Sequence, residues 1–286
     1  DKMGEIRIDC MKEIFREVLH RGLVQEIGIK KLLVDKQSKY QRIQIFDTFA
    51  YGRVLTLDGV VQLTEKDESA YSEMLSHPII CATNKPSNVL IIGGGDGAVA
   101  EEVLKYKFIK EIDLVDIDAD IIYFSKKYLK KINNYSLENK RLKIFNEDAF
   151  DYVDKVKKEY DIIIADRPDP IGAAKNLFKL KFYKYLQKIL SDKGLVIFQS
   201  GVPFLQNKEI KEVVNDVKKS FKYSGILLTV VPSYIGGYMA LVWASNNIKL
   251  DKVEIDLKKL KGKTNYINKD ILKSAFAIPN FIKDYC

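Results

Sequence analysis

Residues 89–97, V-L-I-I-G-G-G-D-G, decide the fold of this chain and are followed directly by the helix-like run A-V-A-E-E-V-L-K. Four consecutive apolar residues predict a buried β-strand, and the glycines after them let the backbone turn sharply and approach a ligand closely. A helix that begins at this turn offers unpaired N–H groups to the same ligand. A second apolar run, I-D-L-V at residues 112–115, ends in Asp116, whose carboxylate can accept hydrogen bonds from ribose hydroxyls. The pattern predicts a nucleoside-binding βαβ unit.

The identity of the ligand is left open by the glycines, because their spacing fits both dinucleotides and S-adenosylmethionine-type molecules. A tight strand-to-helix turn without a ligand is the plainer alternative, and the strand, helix and Asp116 context argues against it. Asp96 inside the glycine loop favours the second ligand class. A carboxylate at this position would repel a pyrophosphate, whereas it would pair with an ammonium group.

Composition indicates a globular chain with a substantial core, since 47% of its 286 residues are hydrophobic. No apolar run approaches the ~20 residues of a membrane span, and the first residues lack the order of a signal peptide, so we expect a cytoplasmic protein without a membrane partner. The net charge of +8 comes from lysines interleaved with acidic residues along the chain. That pattern is typical of a solvated surface, so we expect no nucleic-acid partner.

Histidine and cysteine give no evidence of a metal or redox site. The two histidines and three cysteines lie far apart, without metal-ligand or C-x-x-C spacing. We therefore expect no disulfide, no metal and no bound cofactor.

Three segments are predicted. Residues 1–22 form an N-terminal amphipathic helix, because Ile6, Cys10, Ile14 and Val18 recur at four-residue steps. Residues 23–66 form a small antiparallel β domain, because short alternating runs are separated by Gly28 and by further turn signals. Residues 67–286 form the catalytic domain, which begins with a helix that is expected to end before the proline at position 78.

The catalytic domain alternates strand and helix patterns from about residue 86 onward, which predicts a doubly wound, mostly parallel sheet. The last two strands are joined by P-S-Y-I-G-G at residues 232–237, too short for a crossover helix, so they should form an antiparallel hairpin. Ligands of such sheets bind at the carboxyl ends of the strands. Aspartates follow four of these strands, with a fifth close behind, which helix capping alone does not explain: Asp96, Asp116, Asp148, Asp166 and Asp169.

Several motifs in this order resemble the spermidine synthase family of aminopropyltransferases. They are G-G-G-D-G, the run T-E-K-D-E-S-A-Y-S-E-M at residues 64–74, D-x-x-D-P from Asp166, P-S-Y from residue 232 and the closing F-A-I-P-N-F. The resemblance spans residues 40–281 and implies a Rossmann-like, methyltransferase-type α/β domain with a small N-terminal antiparallel β domain. It also implies decarboxylated S-adenosylmethionine as a co-substrate, a polyamine acceptor, and a homodimer or homotetramer.

Residue roles follow from the resemblance position by position. Asp166 matches the catalytic acid/base aspartate. The positions that match acceptor-binding residues are Tyr71, Ser72, Asp166, Asp169 and Tyr234. Those that match donor-binding residues are Gln41, Gln62, Gly93, Gly94, Gly95, Asp96, Gly97, Asp116, Ile117, Asp148 and Ala149.

The chemistry of these residue types supports the implied reaction, putrescine to spermidine. An amine attacks only when it is neutral, and with a pKa near ~10 that form is scarce at neutral pH, so Asp166 is needed to orient the amine and to take its proton. The decarboxylated donor carries an ammonium and no carboxylate, which favours it at a loop containing Asp96. The leaving thioether is neutral, so neither a general acid nor a metal is required.

The acceptor pocket departs most from the family. Arg167 and Pro168 replace small residues, Ser72 replaces a His or Gln, and Ile235 with Gly236 replaces Pro-Ser. In one interpretation Arg167 points away and pairs with a surface acid. In the other, Ser72 and Gly236 open the pocket and Arg167 adds charge to it, which predicts use of a longer acceptor such as agmatine, spermidine or another triamine.

Two further functions stay open from the sequence. A small-molecule methyltransferase would share the sheet and Asp116, although it needs a group for the donor carboxylate that Asp96 opposes. A non-catalytic polyamine-binding homologue is the second, and the joint presence of Asp96, Asp166 and Asp169 argues against it.

Overall fold

The computed structural model describes residues 13–168 and 172–284 and divides the chain into two compact units, residues 1–67 and 68–286. The first unit contains a five-stranded antiparallel sheet whose strands are neighbours in chain order. Its strands are β1 (Ile14–Glu17), β2 (Gln25–Gln37), β3 (Arg42–Thr48), β4 (Arg53–Leu57) and β5 (Val60–Thr64). The expected antiparallel β architecture is confirmed.

Gly28, expected to separate two strands, lies inside the 13-residue strand β2 instead. Its position opposite Ile14 of β1 requires only an extended backbone, which glycine adopts as readily as a turn. Just after Gly28, the pairing of β2 with β3 shifts register twice, between Ile29 and Lys31 and again between Leu32 and Val34. Such bulges bend a long strand without ending it, so one strand replaces two.

The predicted N-terminal helix is wrong where it can be compared, because Ile14–Glu17 is a strand that pairs with β2. Phe15 is buried against Phe46 with ring centroids 5.2 Å apart, while Ile14 and Val18 are exposed. Exposed and buried side chains therefore alternate along this segment, as in a strand, and the four-residue spacing of Ile14 and Val18 is incidental. The part of this prediction in residues 1–12 lies outside the described residues.

The second unit is built on a seven-stranded sheet in the order β11-β12-β10-β9-β6-β7-β8. Neighbouring strands from β10 to β8 are parallel, and β12 pairs antiparallel with both β10 and β11. The strands are β6 (Asn88–Gly93), β7 (Glu111–Val115), β8 (Leu142–Phe145), β9 (Tyr160–Asp166), β10 (Leu190–Gln199), β11 (Tyr223–Val230) and β12 (Tyr238–Ser245). This is the predicted mostly parallel sheet with its terminal hairpin.

Helices cover the sheet, and apolar residues of strands and helices form its core. They are α1 (Glu68–Ala82), α2 (Ala98–Leu104), α3 (Ala119–Tyr128), α4 (Lys130–Asn133), α5 (Ala149–Lys155), α6 (Leu180–Ile189), α7 (Asn207–Ser220), α8 (Lys269–Ala275) and α9 (Asn280–Lys283). Short 3-10 helices lie at Ser136–Glu138, Gly172–Phe178 and Leu257–Lys259. No helix in the described residues is both long and apolar enough to cross a bilayer.

Helix α1 continues through Pro78, where the sequence predicted its end. Proline in a helix interior removes one hydrogen bond and costs about 3 kcal/mol. Leu75 and Ile79, on either side of the proline, are completely buried, and burial of such side chains contributes about 1.5–3 kcal/mol each. Packing against the sheet therefore offsets the local cost.

The strand order reverses beside β6, because the chain first builds outward through β7 and β8 and then returns to add β9 on the other side. The carboxyl ends of β6 and β9 are direct neighbours, with Gly93 opposite Asp166. Such a switch point leaves a crevice where ligands of open α/β sheets bind. The fold therefore directs attention to the loops that follow these two strands.

Candidate functional site

The glycine turn after β6 has a backbone that only residues without a side chain adopt easily. Gly93, Gly94 and Gly97 have φ angles of +75°, +69° and +84°. A Cβ on Gly93 would lie 2.1 Å from the carbonyl oxygen of Asp166, and one on Gly95 would lie 2.6 Å from Oδ2 of Asp116. The missing side chains thus allow the turn to approach the ends of β9 and β7 directly.

Three aspartates, which follow β6, β7 and β8, share one local geometry. Asp96 Oδ1 accepts a hydrogen bond from the backbone N–H of Ala98 at 2.7 Å. Asp116 and Asp148 accept in the same way from the N–H groups two residues ahead, at 3.0 and 2.8 Å. This turn is a common local preference of aspartate, and it orients each carboxylate without a distant partner.

Asp116 accepts a second hydrogen bond, from the N–H of Gly95 to Oδ2 at 3.1 Å. The pKa of its carboxyl is raised to about 6, chiefly by burial, with the charges of Asp118 and Asp96 as further causes that raise it and the two backbone hydrogen bonds as causes that lower it. Asp116 therefore lies directly against the glycine turn, in the position that the sequence predicted for the ribose-binding acid.

Asp96 is half-buried, and burial raises the pKa of its carboxyl. Its backbone carbonyl accepts a hydrogen bond from Asn133 Nδ2 at 2.9 Å, and the carbonyl of Gly97 accepts one from Ser136 Oγ at 2.7 Å. Sequence reasoning missed Asn133 and Ser136 as supports of the loop. Their only local signal is the turn-forming N-N-Y-S run at residues 133–136, whose middle two residues have positive φ.

Asp166, the last residue of β9, has a different kind of partner. Its Oδ1 accepts a hydrogen bond at 2.6 Å from the hydroxyl of Tyr71, which lies 95 residues away on α1. The Tyr71 ring meets the ring of Tyr234 edge-on, with centroids 6.0 Å apart and an interplanar angle of 74°. The structure thus brings together three residues that the sequence predicted for acceptor binding.

The proton affinity of Asp166 is unusually high for a carboxylate. Burial raises its pKa to about 8, with the charges of Asp96 and Asp116 as further causes, and the hydrogen bond from Tyr71 lowers it. Burial and the nearby Asp166 charge also raise the pKa of Tyr71 well above its usual value. Proximity of like charges in a buried crevice is a frequent property of functional sites, and it creates a strong demand for cationic ligands.

Glu68, in the first turn of α1, was not predicted as a site residue. Burial raises its pKa to about 8, and the charges of Glu102, Asp96 and Glu101 add to this, while the Ser72 hydroxyl lowers it. Its acidic context could not be read from the sequence, because the two glutamates lie on α2 and approach only in the folded chain.

The unusual acceptor-side residues have structural explanations. Ser72 has no solvent-accessible surface, and Gly236 has a φ of +104°, which a side chain would strain. Arg167 is 1% exposed, with its guanidinium among the rings of Phe178, Tyr183 and Phe198. The guanidinium therefore lies in a buried cage, so the expected position beside a surface acid is wrong. The effect of its charge on the acceptor pocket stays a prediction.

The remaining predicted residues have simple positions. Ile117 follows Asp116, and Asp148 is the N-cap of α5, whose first residue is Ala149. Gln41 follows the turn between β2 and β3, and Gln62 lies in β5, so both belong to the first unit. Asp169 lies outside the described residues. Within those residues, no group of three or more His, Cys, Asp or Glu side chains could hold a metal ion.

Comparison with known proteins agrees with this geometry. The family model "Spermine/spermidine synthase domain" matches residues 68–257, and the model "Spermidine synthase tetramerisation domain" matches residues 14–65. Polyamine aminopropyltransferases from Buchnera aphidicola (subsp. Schizaphis graminum) and Clostridium kluyveri are each 39% identical, over 95% and 93% of this chain and 96% and 98% of their own lengths.

Solved structures give the same result. A spermidine synthase in complex with the transition-state analogue AdoDATO superposes with a TM-score of 0.92 at 31% identity, covering 96% of this chain and 94% of its own. The spermidine synthase from Thermotoga maritima gives a TM-score of 0.90 at 30% identity with the same coverage. The fold, the crevice at β6 and β9 and the matched sequence together show that this chain belongs to the spermidine synthase family of polyamine aminopropyltransferases.

Proposed function

We propose that this enzyme transfers the aminopropyl group of decarboxylated S-adenosylmethionine to putrescine, which yields spermidine and methylthioadenosine. The observation that carries the proposal is the half-buried Asp166 carboxylate at the switch point, which accepts a hydrogen bond from Tyr71 and lies close enough to Asp96 for their charges to interact. A crevice with this excess of negative charge suits two cationic substrates better than it suits a zwitterionic amino acid.

The donor would bind along the glycine turn. Asp116 would accept hydrogen bonds from the ribose hydroxyls and Asp148 from the adenine amino group, while Asp96 would pair with the terminal ammonium of the donor. Each of these carboxylates accepts hydrogen bonds from backbone N–H groups and can still accept further ones from a ligand, which suits these roles. Intact S-adenosylmethionine would place its own carboxylate near Asp96, so repulsion disfavours it.

In the transfer step, the neutral amine nitrogen attacks the methylene carbon bonded to the sulfonium. The new C–N bond forms as the C–S bond breaks, and the electron pair of that bond leaves with sulfur as the neutral thioether. The attacking nitrogen becomes positively charged and then releases its proton. Two reactants held in line by fixed carboxylates gain most of their rate advantage from this positioning.

Asp166 would stabilise the positive charge on nitrogen and accept its proton. An ordinary carboxylate has a pKa near 4 and is a poor base for an amine whose conjugate acid has a pKa near ~10. The raised pKa of Asp166, about 8, narrows that gap, so proton transfer becomes less uphill. Tyr71 holds the same carboxylate through Oδ1 and leaves its other oxygen facing the glycine turn near Gly94.

Putrescine is the proposed acceptor, and the use of a longer amine stays a prediction from the sequence. Burial of Ser72 and Arg167 supports the shorter acceptor, because neither residue is exposed in this structure. A homodimer or homotetramer is likewise proposed on the family resemblance, and the matched tetramerisation model supports self-association. A cytoplasmic location stays a prediction from the sequence.

Substitution of Asp166 by Asn tests the proposal. We expect kcat to fall by ~10²-fold or more, with donor affinity nearly unchanged, because Asn keeps the shape but cannot take a proton. Asp161→Asn is a matched control on the same strand, since that carboxylate binds Ser87, Asn88 and Ser191 at the opposite end of β9. A near wild-type kcat in the Asp166 variant would refute the assigned role.

The same assay decides donor and acceptor. Methylthioadenosine should form with the decarboxylated donor, and a methylated product with intact S-adenosylmethionine would show a methyltransferase instead. Binding without turnover for every amine would show a polyamine-binding homologue. With putrescine, cadaverine, agmatine and spermidine compared by kcat/KM, the proposal expects putrescine to be preferred, and a longer amine used equally well would contradict it.

A further inference from the structure

Arg167 is a buried cation directly after the proposed catalytic residue. Its side chain is 1% exposed, and the guanidinium carbon lies 3.8 Å from the ring centroid of Phe178. The rings of Tyr183 and Phe198 are 5.4 and 5.2 Å away. Guanidinium groups stack favourably on aromatic faces, and an enclosed site of this kind strengthens the attraction because water is excluded.

Two carbonyl groups fix the guanidinium in this cage. Arg167 Nε donates to the carbonyl of Gln199 at 3.2 Å, and Nη1 donates to the carbonyl of Leu177. Gln199 ends β10, and Leu177 lies in the 3-10 helix Gly172–Phe178. One side chain therefore ties the end of β9 to the end of the neighbouring strand and to the segment that precedes α6.

The cost of burying this charge argues for a role in geometry. Arginine stays protonated inside proteins, so its burial carries a desolvation cost, which the interaction with Tyr183 opposes only in part. The Nη2 atom of Arg167 is buried without a hydrogen-bond partner among the described residues. An apolar side chain of similar volume would fill the cage at lower cost, so packing alone does not explain an arginine here.

Arg167 and Asp166 point to opposite sides of the sheet. Asp166 meets Tyr71 on α1, whereas Arg167 meets Tyr183 on α6. The carbonyl of Asp166 is at the same time pressed against Gly93. Because neighbouring residues share one peptide unit, a shift or rotation of the backbone at Arg167 displaces the carboxylate of Asp166 as well.

We propose that Arg167 is a positioning residue, whose guanidinium, locked between three rings and two carbonyls, holds Asp166 at the angle that the acceptor amine requires. The inference rests on the role proposed for Asp166. Loss of the Arg167 guanidinium should lower kcat, since a misplacement of a catalytic group by about 1 Å can lower the rate on the order of 10²-fold. Donor binding should stay intact.

The test compares Arg167→Met and Arg167→Lys with Arg141→Met. Arg141 is a matched control, because it also donates to backbone carbonyls, those of Leu104, Tyr106 and Ile109, on another part of the same unit. We expect Arg167→Met to lower kcat by ~10- to 100-fold with the donor KM within ~2-fold of wild type. The kcat of Arg167→Lys should lie between those of wild type and Arg167→Met. Arg141→Met should lose stability and keep kcat.

Rescue separates positioning from general destabilisation. Arg167→Ala leaves a cage that methylguanidinium can enter. Added methylguanidinium should restore part of kcat in this variant. It should not raise kcat in the two controls, wild type and Arg141→Ala. A kcat loss in Arg167→Met that merely equals that of Arg141→Met, or an absence of rescue in a folded Arg167→Ala, would overturn the inference.

A double variant keeps this inference separate from the proposed function. If Arg167 acts through Asp166, Arg167→Met should lower kcat by less than ~2-fold once Asp166 is already Asn. If Arg167→Met lowered kcat as much in the Asp166→Asn background as in wild type, the positioning role of Arg167 would be refuted and the role of Asp166 would not be affected. An active Asp166→Asn single variant would instead refute the proposed function itself.

Discussion

The carboxylates on the two sides of the crevice are held by different means. On the side that we propose for the donor, Asp96, Asp116 and Asp148 each accept a hydrogen bond from a backbone N–H two residues ahead. On the acceptor side, Asp166 accepts from the phenol of Tyr71, 95 residues away. The bond from two residues ahead is local to each loop, and only Asp116 adds a longer-range bond, from Gly95. The bond to Asp166 forms only when α1 has packed onto the sheet.

This difference affects proton affinity. Burial is the largest cause that raises the pKa of Asp116 to about 6 and that of Asp166 to about 8. Two backbone N–H groups lower the pKa of Asp116, whereas the charge of Asp96 is the second-largest cause at Asp166 and raises its pKa. Hydrogen bonds from N–H groups favour the charged form of a carboxylate, which suits a residue that only binds. The proposed role of Asp166, which is to take a proton, would benefit from a higher pKa.

The largest expected effect is that of Gly93→Ala, because this residue separates the two sides. Its Cβ would lie 2.1 Å from the carbonyl of Asp166, so the strand end must move and both sides lose their geometry. We expect kcat/KM to fall by ~10³-fold or more in steady-state assays. Gly59→Ala is the control, since its φ of +76° is nearly equal to that of Gly93 and no atom lies within 4 Å.

Gly59→Ala should cost about 1–2 kcal/mol of stability from backbone strain alone and leave kcat/KM intact. Equal kinetic behaviour of the two variants would mean that the close approach of Gly93 to Asp166 has no functional value.

A smaller effect is expected for Asp96→Asn, and its main part concerns donor binding. The variant removes the proposed partner of the donor ammonium and should weaken binding of decarboxylated S-adenosylmethionine by ~30- to 100-fold in calorimetry. Methylthioadenosine lacks that ammonium, and its affinity should change by less than ~3-fold. If both ligands lose affinity equally, Asp96 only shapes the loop through its bond to Ala98.

The donor side could be predicted from the sequence because its information is local. The glycines, Asp96 and Asp116 lie in short motifs whose backbone preferences already dictate the turn, and the structure shows that turn. Alternation of strand and helix patterns predicted the order of elements for the same reason. Tyr71 could be named only through the family resemblance, because no local rule connects α1 with the end of β9.

The sequence-based predictions were wrong where tertiary contacts overrule local sequence signals. Ile14–Glu17 pairs with β2 despite its helical spacing, and α1 crosses Pro78 because the helix is buried on the sheet. Arg167 was the least predictable, since a charged residue beside a catalytic motif suggests a ligand contact. Its aromatic cage is assembled from Phe178, Tyr183 and Phe198, which the sequence gives no reason to bring together.

The smallest and most specific effect is expected for Tyr71→Phe, which tests whether the phenol tunes proton affinity. The hydrogen bond from Tyr71 lowers the pKa of Asp166, so its removal raises that pKa and leaves less ionised Asp166 at pH 7. Asp96→Asn should act in the opposite direction, because the charge of Asp96 raises the same pKa. The acidic limb of the kcat/KM profile should therefore move to higher pH in the first variant and to lower pH in the second.

At pH 7 we expect kcat/KM for putrescine in Tyr71→Phe to fall roughly 3- to 10-fold. Above the raised pKa, Asp166 is ionised in variant and wild type alike, so the two profiles should converge at alkaline pH. Tyr234, whose ring meets that of Tyr71 edge-on, offers the control, because Tyr234→Phe keeps the ring contact and leaves the bond from Tyr71 to Asp166 in place. A loss of equal size at every pH in Tyr71→Phe would show that Tyr71 orients the acceptor, and the long-range hydrogen bond would then lose its role in proton transfer.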